Sequence, residues 1–590
     1  MSNVPQPPIE RPDIWKYLQG AVVLFLILLA AYAAIETDEF RALIRGQSEM
    51  EMRKLWWIAV PALAIVVVLS SHWVSASRQF QTRQAQAKVQ HELAQQRLAE
   101  ARTEKGRREY VLEVIGLGVT VEKYRQGKLW DVLQKGTPYS EIREKDPHKY
   151  PWSGLEKEQT TGGREGDTLD NGAWRSPDCW GVPVFNAQPP IQNPALADSP
   201  LSPTPGLTTG AESNGMASHL FVVGSVKLKE RPDRLLDDVF DFFDKNPDIP
   251  YVVLNSDDSS TVRNMFAYKR KNTDDGYFIP SMPDASVLFL LARRERVDAI
   301  RPFVFEDVSN EKSVEYQNSE GISRRLFVAY LDLKNSLPRV DPENTAARKP
   351  TISEWLTAAA KFAARPELRG NKPGSYRDLA FHIKHRVPYD WKPTPWFPVP
   401  WETFQLATFD SLPTMGFIHR PVFVNTSDEH GKPLAKLDQR RKALLAGLQE
   451  ALLTLPEAER AAAPARIIAG TNNNVDQLLA LEGMLHDFAE LGGPSIDTGK
   501  LDQFTNTDRR LGNTGAATWF VQMGIGVMGS YRAGGVSAAI NLRDQHEASI
   551  VLISPPSEEK RQAQQQARGD IFKPRNSPDI DPANYAPPSK

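Results

Sequence analysis

Two long apolar runs near the start of the chain limit what it can fold into. Tyr17 to Ile35 reads YLQGAVVLFLILLAAYAAI, and Leu55 to Ser75 reads LWWIAVPALAIVVVLSSHWVS. Neither contains Lys, Arg, Asp or Glu. About twenty such residues form a helix long enough to cross the hydrocarbon core of a bilayer, where a charge would be costly. Trp15, Trp56, Trp57 and Trp73 stand at the edges of the runs, where amphipathic rings favour the headgroup level. The runs predict a membrane hairpin over residues 1–77, with these four tryptophans as interface anchors. Buried core helices fit the length and the lack of charge less well. A cleaved signal would need a basic flank and a small-residue cleavage site, and the first run has neither clearly.

Basic residues set the expected topology. The stretch Glu36–Lys54 holds four Lys/Arg and five Asp/Glu, whereas Arg78–Tyr110 holds eight and four. Positive charge is retained on the cytoplasmic side. The expectation is an inner-membrane protein with two spans, both termini and the remaining mass cytoplasmic, and a short external loop.

After the second run, residues 78–109 are rich in Gln, Ala, Arg and Glu, good helix formers with few apolar positions. They read as a solvated stalk helix. From Tyr110 the pattern becomes β-rich, and strands alternate with amphipathic helices. YVLEVIGLGVTVE, HLFVVGSVKL, YVVLN, SVLFLLA and RLFVAYL read as strands; RPDRLLDDVFDFFDK and TVRNMFAYK read as helices. Pro151–Ser218 is dense in Gly, Pro, Ser and Thr and reads as a flexible insertion. The linker NSLPRVDPENTAARKP leads to a capping box, Thr351 with Glu354. Beyond it GFIHRPVFV, ARIIAG, TWFVQM and SIVLIS read as strands between helices. The predicted fold class is therefore α/β: a two-helix hairpin and stalk, then α/β domains at 110–335 and 351–555, with a disordered tail over 556–590.

The net charge is −2, so nothing in the bulk electrostatics favours nucleic acid as a partner. Cys179, the single cysteine, excludes an intrachain disulfide and any multi-cysteine metal site. Gly524, Gly526 and Gly529 give GxGxxG after an expected strand, but SYRAGGVSAAI does not read as the helix that would present N–H groups to a pyrophosphate. A glycine-rich turn that shapes the backbone is the better reading. His382 and His385 are one helical turn apart, with neither an HExxH glutamate nor an evident third metal ligand. Asp497-Thr498-Gly499 is the aspartic-protease tripeptide without the second carboxylate that such chemistry shares a proton with. No GxSxG occurs.

The best-placed polar cluster is Asp257, Asp258, Ser259 and Ser260, directly after the strand YVVLN. Ligands of open parallel sheets bind at the carboxyl ends of strands, and the same residues also make ordinary helix caps. The stripe Asp237, Asp241 and Asp244 reads as a solvated helix face that could serve a basic partner.

GLGVTVEKYRQGKLWDVLQKG, EKDPHKYPW and TFDSLPTMGFIHRPVFV resemble segments of the type VI secretion lipase-adapter family, over roughly Tyr110 to Ser554. The resemblance implies a non-enzymatic adaptor that binds a phospholipase effector and helps load it on the secretion spike protein. It implies no catalytic, cofactor or metal residues. The hairpin adds the lipid bilayer as a partner. A membrane-bound enzyme acting on a lipid or nucleotide, and an envelope assembly protein, are the alternatives that the residues leave open.

Overall fold

The computed structural model describes residues 14–35, 60, 63–79, 82, 106 and 109–573, except 174–181, 193–206, 210–219, 228–230, 268–275, 307–321, 339–349 and 371–385. The chain forms two compact units, Met1–Arg107 and Arg108–Lys590. In the first, α1 (Ile14–Ile35) covers the first apolar run, and a second helix, α2 (63–79), covers most of the second. Val22 to Ile27 of α1 are exposed, as is Trp15, while Trp73 is half-buried. The Tyr17 hydroxyl lies 3.2 Å from His72 Nδ1, with the two rings 5.7 Å apart. Side chains are described for only part of α1, and among the described residues no helix is long and apolar enough to cross a membrane. Trp56, Trp57 and most of the expected stalk lie outside the described residues.

Among the described residues, the second unit is built on one mixed sheet of thirteen strands. They are β1 (Val111–Val121), β2 (Tyr124–Arg125), β3 (Val182–Ala187), β4 (Leu207–Thr209), β5 (Leu220–Lys227), β6 (Tyr251–Asp258), β7 (Ala285–Ala292), β8 (Gly416–His419), β9 (Val422–Asn425), β10 (Arg466–Gly470), β11 (Phe504–Asn506), β12 (Ser537–Asn541) and β13 (Glu547–Ser554). The order is β11-β10-β12-β13-β8-β1-β7-β6-β3-β5-β4, with β2 turned back on β1 and β9 on β13. β10 runs parallel to β11 and β12, and β3 runs parallel to β5 and β6. Between these two parallel patches the pairings are antiparallel, through β13, β8, β1 and β7. The two α/β domains expected from the sequence thus share a continuous sheet. β8 makes the join, pairing Gly416 with Val114 and Ile418 with Ile553.

Among the described residues, the longer helices of this unit are α3 (Gln126–Leu133), α4 (Gly154–Ala173), α5 (Arg234–Lys245), α6 (Ser260–Phe266), α7 (Ile322–Ser336), α8 (Ile352–Ala363), α9 (Thr403–Asp410), α10 (Leu437–Leu452), α11 (Val475–Glu490), α12 (Thr518–Ala533) and α13 (Glu558–Arg568). The amphipathic reading of α5 is correct: Leu235, Leu236, Val239, Phe240 and Phe243 are all buried. Its acidic stripe meets a basic partner within the chain, since Arg420 lies 2.7 Å from Asp244, 3.4 Å from Asp241 and 3.8 Å from Asp237. The capping box at α8 is present as read, Thr351 and Glu354 each satisfying the other's backbone N–H.

Four expectations are corrected. RLFVAYL is part of α7, where Ile322, Leu326 and Tyr330 are buried at four-residue spacing. A short apolar run does not by itself separate strand from helix. TWFVQM is the start of α12, which is buried on nearly every side and so lacks an amphipathic signal. The region 151–218 is not simply a flexible insertion, because it contains α4 and also β3, which pairs with both β5 and β6. The expected tail begins with α13, whose Gln564 bonds the Thr414 backbone and is followed by fully buried Phe572.

Candidate functional site

β6 ends at Asp258, and Ser259 caps α6 by accepting from the Val262 N–H at 3.4 Å. The capping reading of this cluster therefore holds for Ser259. The neighbouring residues do more. Asp284, just before β7, accepts from the Ser260 N–H at 2.7 Å and pairs with Arg164 at 2.6 Å, Arg263 at 3.0 Å and Lys157 at 3.7 Å. Asp258 pairs with Arg263 at 2.6 Å and accepts from the Ala516 N–H at 2.7 Å, which ties β6 to the C-terminal half. Glu122 sits in the two-residue turn between β1 and β2 with φ +52°, a conformation that costs a residue with a Cβ. Its carboxylate accepts from Lys157 Nζ at 2.7 Å, the Asp284 N–H at 3.0 Å and the Tyr150 hydroxyl at 2.7 Å.

Glu122, Lys157, Arg164, Asp258 and Asp284 are all buried. Burial raises the Asp284 carboxyl, but the cations Lys157, Arg164 and Arg263 outweigh it and hold the group below its ordinary range. Burial, and then the adjacent Glu122, push the Tyr150 hydroxyl up, so it serves as a donor. Asp257 is different. Its buried Oδ1 has no hydrogen-bond partner. Burial raises its carboxyl well above the ordinary range, and Glu165, Asp284 and Asp258 push the same way. The cluster is a brace in which most oxygens and cations are consumed internally. Among the described residues no His, Cys, Asp and Glu are grouped to hold a metal.

Glu122, Tyr150 and Trp152 also line a partly open cleft, with Tyr124, Ile142 and Leu511 on its other walls. Arg510 organises one wall, donating to the carbonyls of Leu133, Lys135 and Thr137 at 3.1, 2.7 and 2.8 Å. A buried guanidinium that serves carbonyls fixes the course of a loop. Apart from Leu511 the cleft is lined by the N-terminal half, and it offers aromatic and apolar surface beside the charged Glu122, Lys123, Arg143 and Glu144.

The structure also assembles a pair that the sequence did not signal. His419 Nε2 lies 2.8 Å from Ser554 Oγ, and its Nδ1 lies 3.0 Å from the Thr454 carbonyl. The carbonyl only accepts, so Nδ1 carries the proton and Nε2 accepts from the serine. Burial lowers the imidazole to about 4, against a weaker opposing bond from Thr454, and keeps it neutral. The hydroxyl–imidazole contact has the spacing of a nucleophile and its base. Both side chains are buried, however, and a backbone carbonyl stands where a triad has a carboxylate. The pair clasps β8 to β13 and to the loop after α10.

The remaining candidates are dispersed. Gly524, Gly526 and Gly529 lie inside α12, none with positive φ, so they are not a turn. A Cβ on Gly526 would fall 2.5 Å from Ile553 Cδ1, so close packing is their role. Asp497 accepts from the Gly499 N–H at 2.9 Å in an exposed turn. Cys179, His382 and His385 lie outside the described residues.

Models of the N-terminal and C-terminal parts of the type VI lipase adapter protein Tla3 match residues 110–275 and 415–555. The chain belongs to this adapter family. The first match ends beyond the Asp257 cluster, and the second spans the His419–Ser554 clasp and α12. Among solved structures, the oxazolomycin ketosynthase domain OzmH KS8 of Streptomyces albus is 8% identical, with 79% of this chain and 98% of that one covered and a TM-score of 0.36. A ketosynthase from module 1 of the bacillaene synthase of Bacillus amyloliquefaciens is 7% identical over 76% and 73%, at 0.36. Cerulenin-bound OleA of Xanthomonas campestris is 10% identical over 75% and 99%, at 0.31. Similarity at this level bears on neither fold nor activity.

Proposed function

We propose that this chain is a membrane-anchored, non-enzymatic adaptor that binds a type VI phospholipase effector and helps load it on the secretion spike. Membership in the lipase adapter family, matched in both halves of the sheet unit, carries the reading. The Asp257 cluster supports it, because its charged groups are spent on one another and on holding α4, β6 and α6 together. The anchor is argued from the two uncharged runs, and the cytoplasmic placement from the basic residues after Ser77.

Co-expression of the full chain with a type VI lipase effector, followed by co-purification, tests the adaptor role. A stable complex, with no phospholipid hydrolysis by the chain alone, is expected. Hydrolysis by the purified chain, abolished by Asp257→Ala or Ser554→Ala, would replace this reading with that of a membrane-bound enzyme. Alkaline phosphatase fused within residues 36–54 should be active, and fused after Tyr110 inactive; the reverse pattern would overturn the placement.

A further inference from the structure

We infer that the cleft beside Glu122 seats an apolar anchor of the lipase effector, an aromatic or aliphatic side chain with a carboxylate next to it. This names a contact surface for the adaptor and rests on that reading of the chain. Ile279 packs on Tyr150 and Trp152 in a small apolar cluster of its own, separate from the two larger cores. The cleft that these three line is partly open. Beside it Leu155, Tyr277 and Phe278 are 40, 52 and 46% exposed. Their segments are tied together: the Gly154 N–H donates to the Gly276 carbonyl at 3.0 Å, and the Tyr277 hydroxyl donates to Glu156 at 3.5 Å. Contiguous exposed apolar groups with a polar rim mark sites of protein contact, and anchors seated in aromatic pockets carry most of the binding energy.

The opposite wall sets the sign of the charge. Lys123 stands in the turn between β1 and β2, is exposed, and has no carboxylate partner among the described residues. The turn is held by the bonds of Glu122 to Lys157 and the Asp284 N–H, so Lys123 is displayed on a fixed support. Arg143 lines the same wall and donates to the Pro280 carbonyl, which joins the two sides. The acids of this wall are engaged. Glu122 belongs to the brace, Glu144 accepts from the N–H groups of Lys145 and Asp146 at 2.9 and 3.0 Å, and Asp146 accepts from the His148 N–H at 3.0 Å. Lys145 and Lys149 are exposed and reach Glu141 and Asp146 only at 3.7 and 3.8 Å, and such surface pairs contribute little. An incoming carboxylate therefore meets uncommitted ammonium groups, whereas an incoming cation meets carboxylates already bonded. A lipid surface fits less well, because a bilayer is entered by groups that protrude, and Tyr150, Trp152 and Ile279 line a concavity.

The test measures the affinity of the full-length chain, in detergent micelles, for a type VI lipase effector. Phe278→Asp should weaken binding by about tenfold or more, the effect of losing an anchor contact. Tyr277→Asp is the second variant should the first fail to fold. Lys123→Glu should weaken it by about threefold at low salt and hardly at all at about 0.5 M salt, where exposed charges are screened. Leu491→Asp, at a residue that is 66% exposed beyond the C-terminal end of α11, should leave binding unchanged. Wild-type affinity in the cleft variants, or equal weakening by Leu491→Asp, would overturn this surface while the adaptor reading stands. Failure of the wild type to bind would overturn both. If the cleft variants keep the lipase but lose binding to phosphatidylglycerol vesicles, the face meets a membrane and the inference is wrong.

Discussion

Helices α4 and α12 both pack against strand β1, from opposite faces and by opposite chemistry. Along β1, Gly116 and Gly118 face α4, while Leu117 and Val119 face Gly524 of α12. α4 buries a polar stripe at helical spacing, Lys157, Thr161, Arg164, Thr168 and Gly172. Its backbone comes so close that a Cβ on Gly118 would lie 1.9 Å from the Thr168 carbonyl oxygen. α12 is buried almost completely, from Thr518 to Tyr531, and is apolar apart from a few hydroxyls and Gln522. One helix is held by ion pairs and backbone contact, and the other by packing. A central position in the sheet unit does not require an apolar sequence, provided that every buried charge meets a partner.

This contrast is open to attack at both helices. Asp284→Ala should be the most damaging change, since it leaves buried Arg164 without its carboxylate and takes one of two carboxylates from both Lys157 and Arg263. A loss of about 3–5 kcal/mol in denaturant unfolding is expected, the size seen when one partner of a buried pair is removed. Gly118→Ala should cost about 3 kcal/mol, because the clash is with helix backbone rather than with a side-chain end. Gly526→Ala, on the apolar side, should cost only about 1 kcal/mol. Its Cβ meets the end of the Ile553 side chain, and alanine's preference for the helix over glycine, about 1 kcal/mol, offsets part of the crowding. Equal losses at Gly118 and Gly526 would erase the distinction between the two helices.

The smallest expected effect is a pH dependence from the His419 clasp. Its folded value, about 4, lies below the ordinary imidazole range because burial disfavours the charged form. The unfolded chain therefore binds the proton first. The contribution is complete above the unfolded value of about 6.5, and about 1 kcal/mol should be gone by about pH 5.5. Unfolding midpoints measured across that window, in wild type and in His419→Gln, should differ in slope. Identical slopes would place the titration elsewhere.

Much of the strand ladder was legible in the sequence, because β1, β6, β7, β10 and β13 are apolar runs bounded by turn residues. The family was legible too, through stretches such as GLGVTVEKYRQGKLWDVLQKG. The Asp257 cluster was located by its position after a strand, but its partners were not, since Glu122, Lys157, Glu165 and Asp284 come from three separate segments. α4 was missed for a physical reason. Its stripe has helical spacing, but Lys, Thr and Arg signal solvent unless the paired acids are known to be near. α12 was misread because a helix buried on all sides has no polar face to reveal its period. The uncharged runs, the alternation of Gly with Leu and Val in β1 and the caps of α6 and α8 are local properties, fixed by neighbours in sequence. The single sheet through β8, the Ser554–His419 clasp and the bond from Ser259 to Glu165 depend on residues more than ninety positions apart. Only the tertiary fold brings such groups together, because loop closure must be met by burial and pairing that no local stretch supplies.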